Sequence, residues 1–180
     1  MSTSFSQKNF EDSQRAHRAA QAQFYPLLFP QCDLTFEDTT KTVQDLDYAI
    51  DCKIAVTGAG LHLRAPLWFA VQERWRFDLD AMRYGDVTVT EWNLATGEPS
   101  ELHKLGAHLL VYGFYDKVQD RILCAAVVDV ARLLYAVALG NLRYERRTRL
   151  DQSFLAFSLA ALRECGAIIH IMRLVEMAAA

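Results

Sequence analysis

The chain has 180 residues, 52% of them apolar and 23% charged, with a formal net charge of −3. That length suffices for a single domain over residues 1–180 with a buried core and no covalent staples, and the balance of apolar and charged residues excludes a disordered or fibrous chain. The negative charge argues against nucleic-acid binding by a global positive field, although a local basic groove needs only a few well-placed Lys or Arg.

Residues 1–9 are polar and expected to be frayed. Phe10 to about Leu28 reads as a helix, with Ala16, Ala19, Ala20, Phe24 and Leu27 on an apolar stripe and Pro26 and Pro30 near its end. Gln14, Gln21 and Gln23 are its polar residues; each can look onto a site or onto solvent. Pro30–Gln44 reads as a connector with a short strand near Leu34–Phe36.

The stretch Asp45–Arg76 is the organising element. Tyr48, Ile50, Cys52, Ile54 and Val56 alternate with smaller or polar residues, which is the period of a half-buried strand. Asp47 falls on the same face as Asp51. A second strand follows at Leu67–Phe77, where Leu67, Phe69, Val71, Trp75 and Phe77 oppose Gln72, Arg74 and Arg76. A turn at Thr57–Gly60 makes the pair a hairpin and brings a carboxylate near a polar and cationic cluster.

Asp78–Gly85 reads as a turn or short helical piece. Asp86–Trp92 has the β-branched alternation of a third strand, with Glu91 on its valine side, and Asn93–Pro99 is a loop. Ser100 caps a short helix that leads into an aromatic strand at His108–Tyr115. Ile122–Val130 continues as strand or helix start, and Asp129–Leu139 as a helix broken by Gly140. Gln152–Cys165 has the apolar spacing of a helix, with Phe154, Leu155, Leu159 and Leu162 buried, and Ala167–Leu174 is a last short strand. The element order predicts an α/β or α+β fold with a mixed sheet flanked by helices.

Cys32, Cys52, Cys124 and Cys165 form no CxxC pair, so neither a zinc ribbon nor a disulfide framework is expected, and a reducing cytoplasm fits. The polar N-terminal stretch lacks the apolar core of a secretory signal. The longest apolar run, Ile122–Val137, is interrupted by Asp129 and Arg132, which disfavours a membrane span.

A helix, a hairpin with Asp47 on one strand and Val71-Gln72-Glu73-Arg74 on the next, then a helix and the strand Val111–Asp116, resembles the PD-(D/E)XK restriction-endonuclease-like superfamily, particularly its phage-type members. The resemblance spans roughly residues 10–130. It implies phosphodiester hydrolysis of DNA with Mg²⁺ or Mn²⁺, in which a cation polarises the phosphate and lowers the pKa of a water. Asp47 then supplies one metal ligand. The second is either Gln72, on the face of Arg74 but only an amide, or Glu73, of the right charge but on the Phe69/Val71/Trp75 face. Arg74 stands where the family has Lys; it holds a phosphate but essentially cannot act as a base. Asp51 and Glu91 are further carboxylates.

Arg76, Lys104, Arg146 and Arg147 are the expected nucleic-acid contacts, Lys104 also as a displaced catalytic lysine; the Arg143–Arg149 cluster reads equally as a solvated helix face. The five histidines make no metal-ligand spacing, and Gly58-x-Gly60 is a turn rather than a dinucleotide loop. A homodimer is an allowed assembly, with the Phe154–Leu162 helix its candidate surface. Two other readings stay open: a catalytically silent nuclease fold that binds nucleic acid or protein, and an α/β protein binding a small anion through Arg74 and Arg76.

Overall fold

The computed structural model describes residues 7–58 and 65–173. Helix α1 spans Gln7–Ala19, runs through a π-helical turn at Ala20–Phe24, and ends in α2, Tyr25–Leu28. Pro26 explains the widened turn: it has no N–H and its ring presses on the preceding carbonyls, and Tyr25 N–H bonds back to Ala20 O. Ala16, Ala20, Phe24 and Tyr25 are fully buried, so the expected apolar stripe is the docking face. Residues 7–10 are already helical, while residues 1–6 lie outside the described ones.

Strands β1 (Asp33–Asp38), β2 (Cys52–Thr57) and β3 (Leu67–Arg76) form an antiparallel meander. Between β1 and β2 stands helix α3, Val43–Tyr48, which corrects the strand expected from Tyr48. Thr42 caps it, its hydroxyl accepting from Gln44 N at 3.2 Å, while Asp45 accepts from Lys41 N at 2.8 Å. Ala49, at φ 47°, turns the chain out of the helix. The turn expected at Thr57–Gly60 lies partly, and His62 wholly, outside the described residues.

After a 3₁₀ turn at Leu79–Tyr84 the chain leaves the first sheet. It builds β4 (Asp86–Asn93), β5 (Glu98–Pro99) and the short helix α4 (Glu101–Lys104), and returns as β6 (Leu109–Asp116), parallel to β3. Then come β7 (Arg121–Asp129), α5 (Val130–Ala138), β8 (Glu145–Arg149), β9 (Gln152–Ser158), α6 (Leu159–Glu164) and β10 (Ile168–Arg173). One sheet has the order β1-β2-β3-β6-β7-β10, with β3 and β6 parallel and the other pairs antiparallel; the other has the order β5-β4-β9-β8. This is a mixed α+β fold with a six-stranded mixed sheet flanked by helices, as expected.

Two assignments change. The strand at residues 86–92 joins the second sheet rather than the meander, and the helix expected over 152–165 begins only at Leu159. Ser153, Leu155 and Phe157 face inward with a period of two, and β9 is paired on both edges, by β4 and β8. Its backbone is satisfied on one edge by the distant β4 and on the other by β8 through a tight hairpin, which outweighs local helical spacing. Ser158 then caps α6 by accepting from Ala161 N. Phe154–Leu162 is therefore not a helix that a second copy can pack against.

The six-stranded sheet is buried on both faces. Cys52, Ile54, Val71, Trp75, Val111 and Val127 meet α1 and the π turn. Leu110, Tyr112, Phe114 and Val128 meet Val87, Val89, Leu155 and Phe157 of the second sheet, together with α5 and α6. Gly113 has a steric cause: a Cβ there would lie 2.3 Å from Trp75 Cζ3 and 2.8 Å from Cys124 O. No helix among the described residues is long and apolar enough to cross a membrane.

Candidate functional site

Between α1 and the edge of the meander lies a pocket of about 230 Å³ lined by Phe10, Ser13, Gln14, His17, Thr40, Asp45, Asp51, Glu73 and Trp75. Three parts of the fold supply it. Helix α1 presents Gln14 and His17, and the π turn and α2 that continue it place Gln21 and Tyr25 behind the pocket, against His17 and Glu73. The backbone between α3 and β2 presents Asp51, whose N–H donates to Val71 O at 2.9 Å. Strand β3 presents Glu73 on the face it shares with Val71 and Trp75.

Glu73 is the hub. Its side chain is 4% exposed. Oε1 accepts from Tyr25 OH at 2.5 Å and Oε2 from Trp75 Nε1 at 2.7 Å, with His17 Nδ1 3.0 Å from Oε2. His17 Nε2 lies 2.8 Å from Gln21 Nε2. The backbone N–H of Glu73 donates to Asp51 Oδ2 at 2.6 Å, so the Asp51 carboxylate is anchored to the backbone of β3.

The electrostatics follow from this crowding. Burial pushes Asp51 up to about 8; the Glu73 N–H works against that, while the charges of Glu73, Asp45 and Glu101 add to it. Burial disfavours a charged His17, yet the hydrogen bond and charge of Glu73, helped by Asp38 and Asp51, raise it above its ordinary value. Burial, with the charges of Glu73 and Asp51, also drives the Cys52 thiol far up. A buried thiol of that kind is not a nucleophile.

The expected site residues divide between the two faces of β3. Asp47 is exposed on α3 and does not line the pocket; Asp51 lines it instead. Glu73 points into the pocket, whereas Gln72 and Arg74 point to the other face. Arg74 pairs there with Glu101 and donates to Thr90 Oγ1 at 2.8 Å, and Arg76 reaches Thr88 and Tyr112. A small-anion site on Arg74 and Arg76 is thus replaced by bonds between the sheets.

Lys104 donates to Leu46 O. Arg146 grips Glu91 with two bonds of 2.8 Å, and Arg147 pairs with Asp86 and Glu145. The arginine cluster is an edge strand, β8, rather than a helix face. Glu91 is occupied there and is no ligand for the pocket.

Sequence reasoning passed over His17, Tyr25 and Trp75. The available signal was His17-x₃-Gln21-x₃-Tyr25, polar groups in register with the apolar stripe of α1. Gln14, considered from sequence, does line the pocket, donating to Thr40 Oγ1 at 3.5 Å.

Two donor sets can receive a cation. His17, Cys52 and Glu73 place one ligand atom each within 4.8 Å of one another. Asp51 and Glu73 offer oxygen alone. On the far side of β3 the unpartnered buried atoms Gln72 Oε1 and Glu101 Oε1 are also acceptors, so this part of the molecule has more acceptors than donors.

Fold and site together define a mixed α+β protein with a buried carboxylate–histidine pocket at the open end of a meander. No protein-family model matches the chain, nor does any curated protein. A solved structure of a nuclease from a fusselovirus is similar over 87% of this chain and 88% of that chain, with a TM-score of 0.35 and 10% identity.

Proposed function

We propose that the chain is a divalent-metal-dependent phosphodiester hydrolase of the PD-(D/E)XK type acting on DNA, with Asp51 and Glu73 as its metal-holding carboxylates. One observation carries this reading. Two carboxylates, Asp51 immediately before β2 and Glu73 on β3, line one pocket, and the Asp51 carboxylate accepts from the Glu73 backbone N–H at 2.6 Å. The order helix, three-stranded meander, short helix and parallel strand supports it, as does the correction that moves the aspartate from Asp47 to Asp51.

The donor set suits Mg²⁺ or Mn²⁺, which take oxygen ligands and retain waters. When bound, the ion supplies charge at the phosphate and a more acidic water. The chain's own part is to hold that charge and move protons. Asp51 gives up its proton as a cation offsets its neighbours. Glu73, gripped by Tyr25 and Trp75, keeps its orientation. His17, bonded at Nδ1 to Glu73 and at Nε2 to Gln21, helps to hold that carboxylate in place, while the proton of the attacking water passes to solvent and the departing phosphodiester oxygen takes one from solvent.

A second reading, a catalytically silent member of this fold, is favoured by one feature. Two residues beyond Glu73 on the pocket face stands Trp75, where the resemblance implies lysine, and no Lys or Arg lines the pocket among the described residues. Mg²⁺ and Mn²⁺ calorimetry on wild type, Asp51→Asn and Asp47→Asn, beside cleavage of single-stranded, duplex and branched DNA, separates the cases. Binding and cleavage lost in Asp51→Asn but kept in Asp47→Asn is the expected result. Binding without cleavage of any substrate selects the silent reading, and no Mg²⁺ or Mn²⁺ binding by wild type overturns the assignment of a metal site to Asp51 and Glu73.

A further inference from the structure

We infer that His17, Cys52 and Glu73 form a second, softer metal site that takes Zn²⁺. His17 Nδ1 is 3.0 Å from Glu73 Oε2 and Cys52 Sγ is 3.9 Å from Glu73 Oε1. In a tetrahedral zinc site, bond lengths of 2.0–2.3 Å place nitrogen and oxygen ligands about 3.3 Å apart and sulfur and oxygen ligands about 3.5 Å apart. The His17 and Cys52 atoms each approach one oxygen of the same carboxylate at close to these separations, and all three ligand atoms lie within 4.8 Å of one another.

The chemistry of the donors selects the ion. Nitrogen, oxygen and sulfur together suit a borderline-soft cation, whereas Mg²⁺ asks for oxygen alone. The three side chains are held in place before any ion arrives. Cys52 sits in the β2–β3 ladder opposite Val71, Gln21 fixes the far nitrogen of His17, and Tyr25 and Trp75 grip Glu73. Such outer contacts orient ligands and strengthen binding. The pocket gives access past His17 and Glu73.

On binding, the Cys52 thiol proton passes to solvent and sulfur becomes the ligand. His17 binds through Nδ1 and keeps its hydrogen on Nε2, donated to the Gln21 amide oxygen once that amide turns. The zinc site stands on these three side chains and does not need the hydrolytic reading. Because Glu73 belongs to both donor sets, Zn²⁺ and Mg²⁺ exclude one another.

The test uses the full chain with Co²⁺ as the probe, following thiolate-to-cobalt charge transfer in the near ultraviolet and its reversal by Zn²⁺. Wild type should bind one equivalent with that absorption, and Cys52→Ser should lose it. His17→Ala should bind about a hundredfold more weakly or worse, and Gln21→Leu about tenfold more weakly. Asp51→Asn should keep the cobalt signal while losing Mg²⁺ binding, so failure of the hydrolytic reading is distinguishable from failure of this one. No charge-transfer band in wild type overturns the site. So does a band that survives Cys52→Ser, which would belong to Cys32, Cys124 or Cys165. Should Cys52→Ser fail to fold by circular dichroism, His17→Ala decides: unchanged cobalt affinity overturns the proposal.

Discussion

Asp51 carries a consequence beyond the pocket. An aspartate in an unfolded chain titrates near about 3.9, whereas Asp51 in the folded protein titrates at about 8. Between those values the folded state holds a proton that the unfolded state has released, so stability falls as pH rises across the interval and levels off above it. His17, also raised, acts in the same sense, since its charged form is stabilised when folded and is lost as pH climbs through its folded value. Asp51→Asn stays neutral throughout and still accepts the Glu73 N–H. Thermal melts from about pH 5 to about pH 9 should therefore show wild type losing ground steadily to the variant; parallel curves would contradict the assignment. Mg²⁺ should raise the wild-type midpoint more at the alkaline end, because the carboxylate must be deprotonated to hold it. At Glu73, truncation to Ala strands the Tyr25 hydroxyl and the Trp75 N–H in the interior. That should cost about 3 kcal/mol or more in urea unfolding. A cost under about 1 kcal/mol would mean the carboxylate is not the hub the hydrogen bonds describe.

Helix α3 and strand β6 decide where those side chains stand. Thr42-Val43-Gln44-Asp45 has the form of a helix start, with a capping hydroxyl and an acidic residue three positions later. The alternation from Tyr48 to Val56 hides that signal because it begins inside the helix. The left-handed turn at Ala49 shortens β2 to Cys52–Thr57, so the aspartate next to β3 is Asp51 and not Asp47. Thr42→Ala should destabilise by about 1 kcal/mol. In β6, Gly113 admits the Trp75 indole that donates to Glu73. Gly113→Ala should cost at least about 2 kcal/mol, since backbone at Cys124 O as well as Trp75 must yield. Its readouts are a lower urea midpoint and a shift in Trp75 fluorescence. Unchanged fluorescence with a lower midpoint would place the strain elsewhere in the strand.

At the scale of the whole molecule, several arginines around the second sheet are held in ion pairs. Arg146 and Arg147 pair with Glu91, Asp86 and Glu145 at the second sheet, and Arg74 pairs with Glu101 between the sheets. The net charge of −3 supplies no global positive field to hold a phosphate backbone. Any DNA affinity should therefore depend on the added divalent cation and weaken only gently with monovalent salt. A log–log slope shallower than about −3 is expected. A steep slope that is indifferent to chelation would point to a basic surface instead of the pocket.

The sequence by itself determined the outline. Strand periodicity in β3, β4 and β6, the apolar stripe of α1 and the stop at Gly140 are local patterns, and local patterns survive into the fold. It also placed Glu73 on the face of Val71 and Trp75, because alternation along a strand needs no partner to be read. What only the tertiary structure decided is which face of β3 becomes the pocket. The second sheet covers Gln72, Arg74 and Arg76, leaving Glu73 to α1, and that choice depends on residues 86–158 folding back across the first sheet. The helical spacing of residues 152–158 lost to the hairpin with β8 on one edge and, for the same long-range reason, to β4 on the other. Long-range contact, invisible in any short window, settled the side of the sheet, the register of the aspartate and the company of His17.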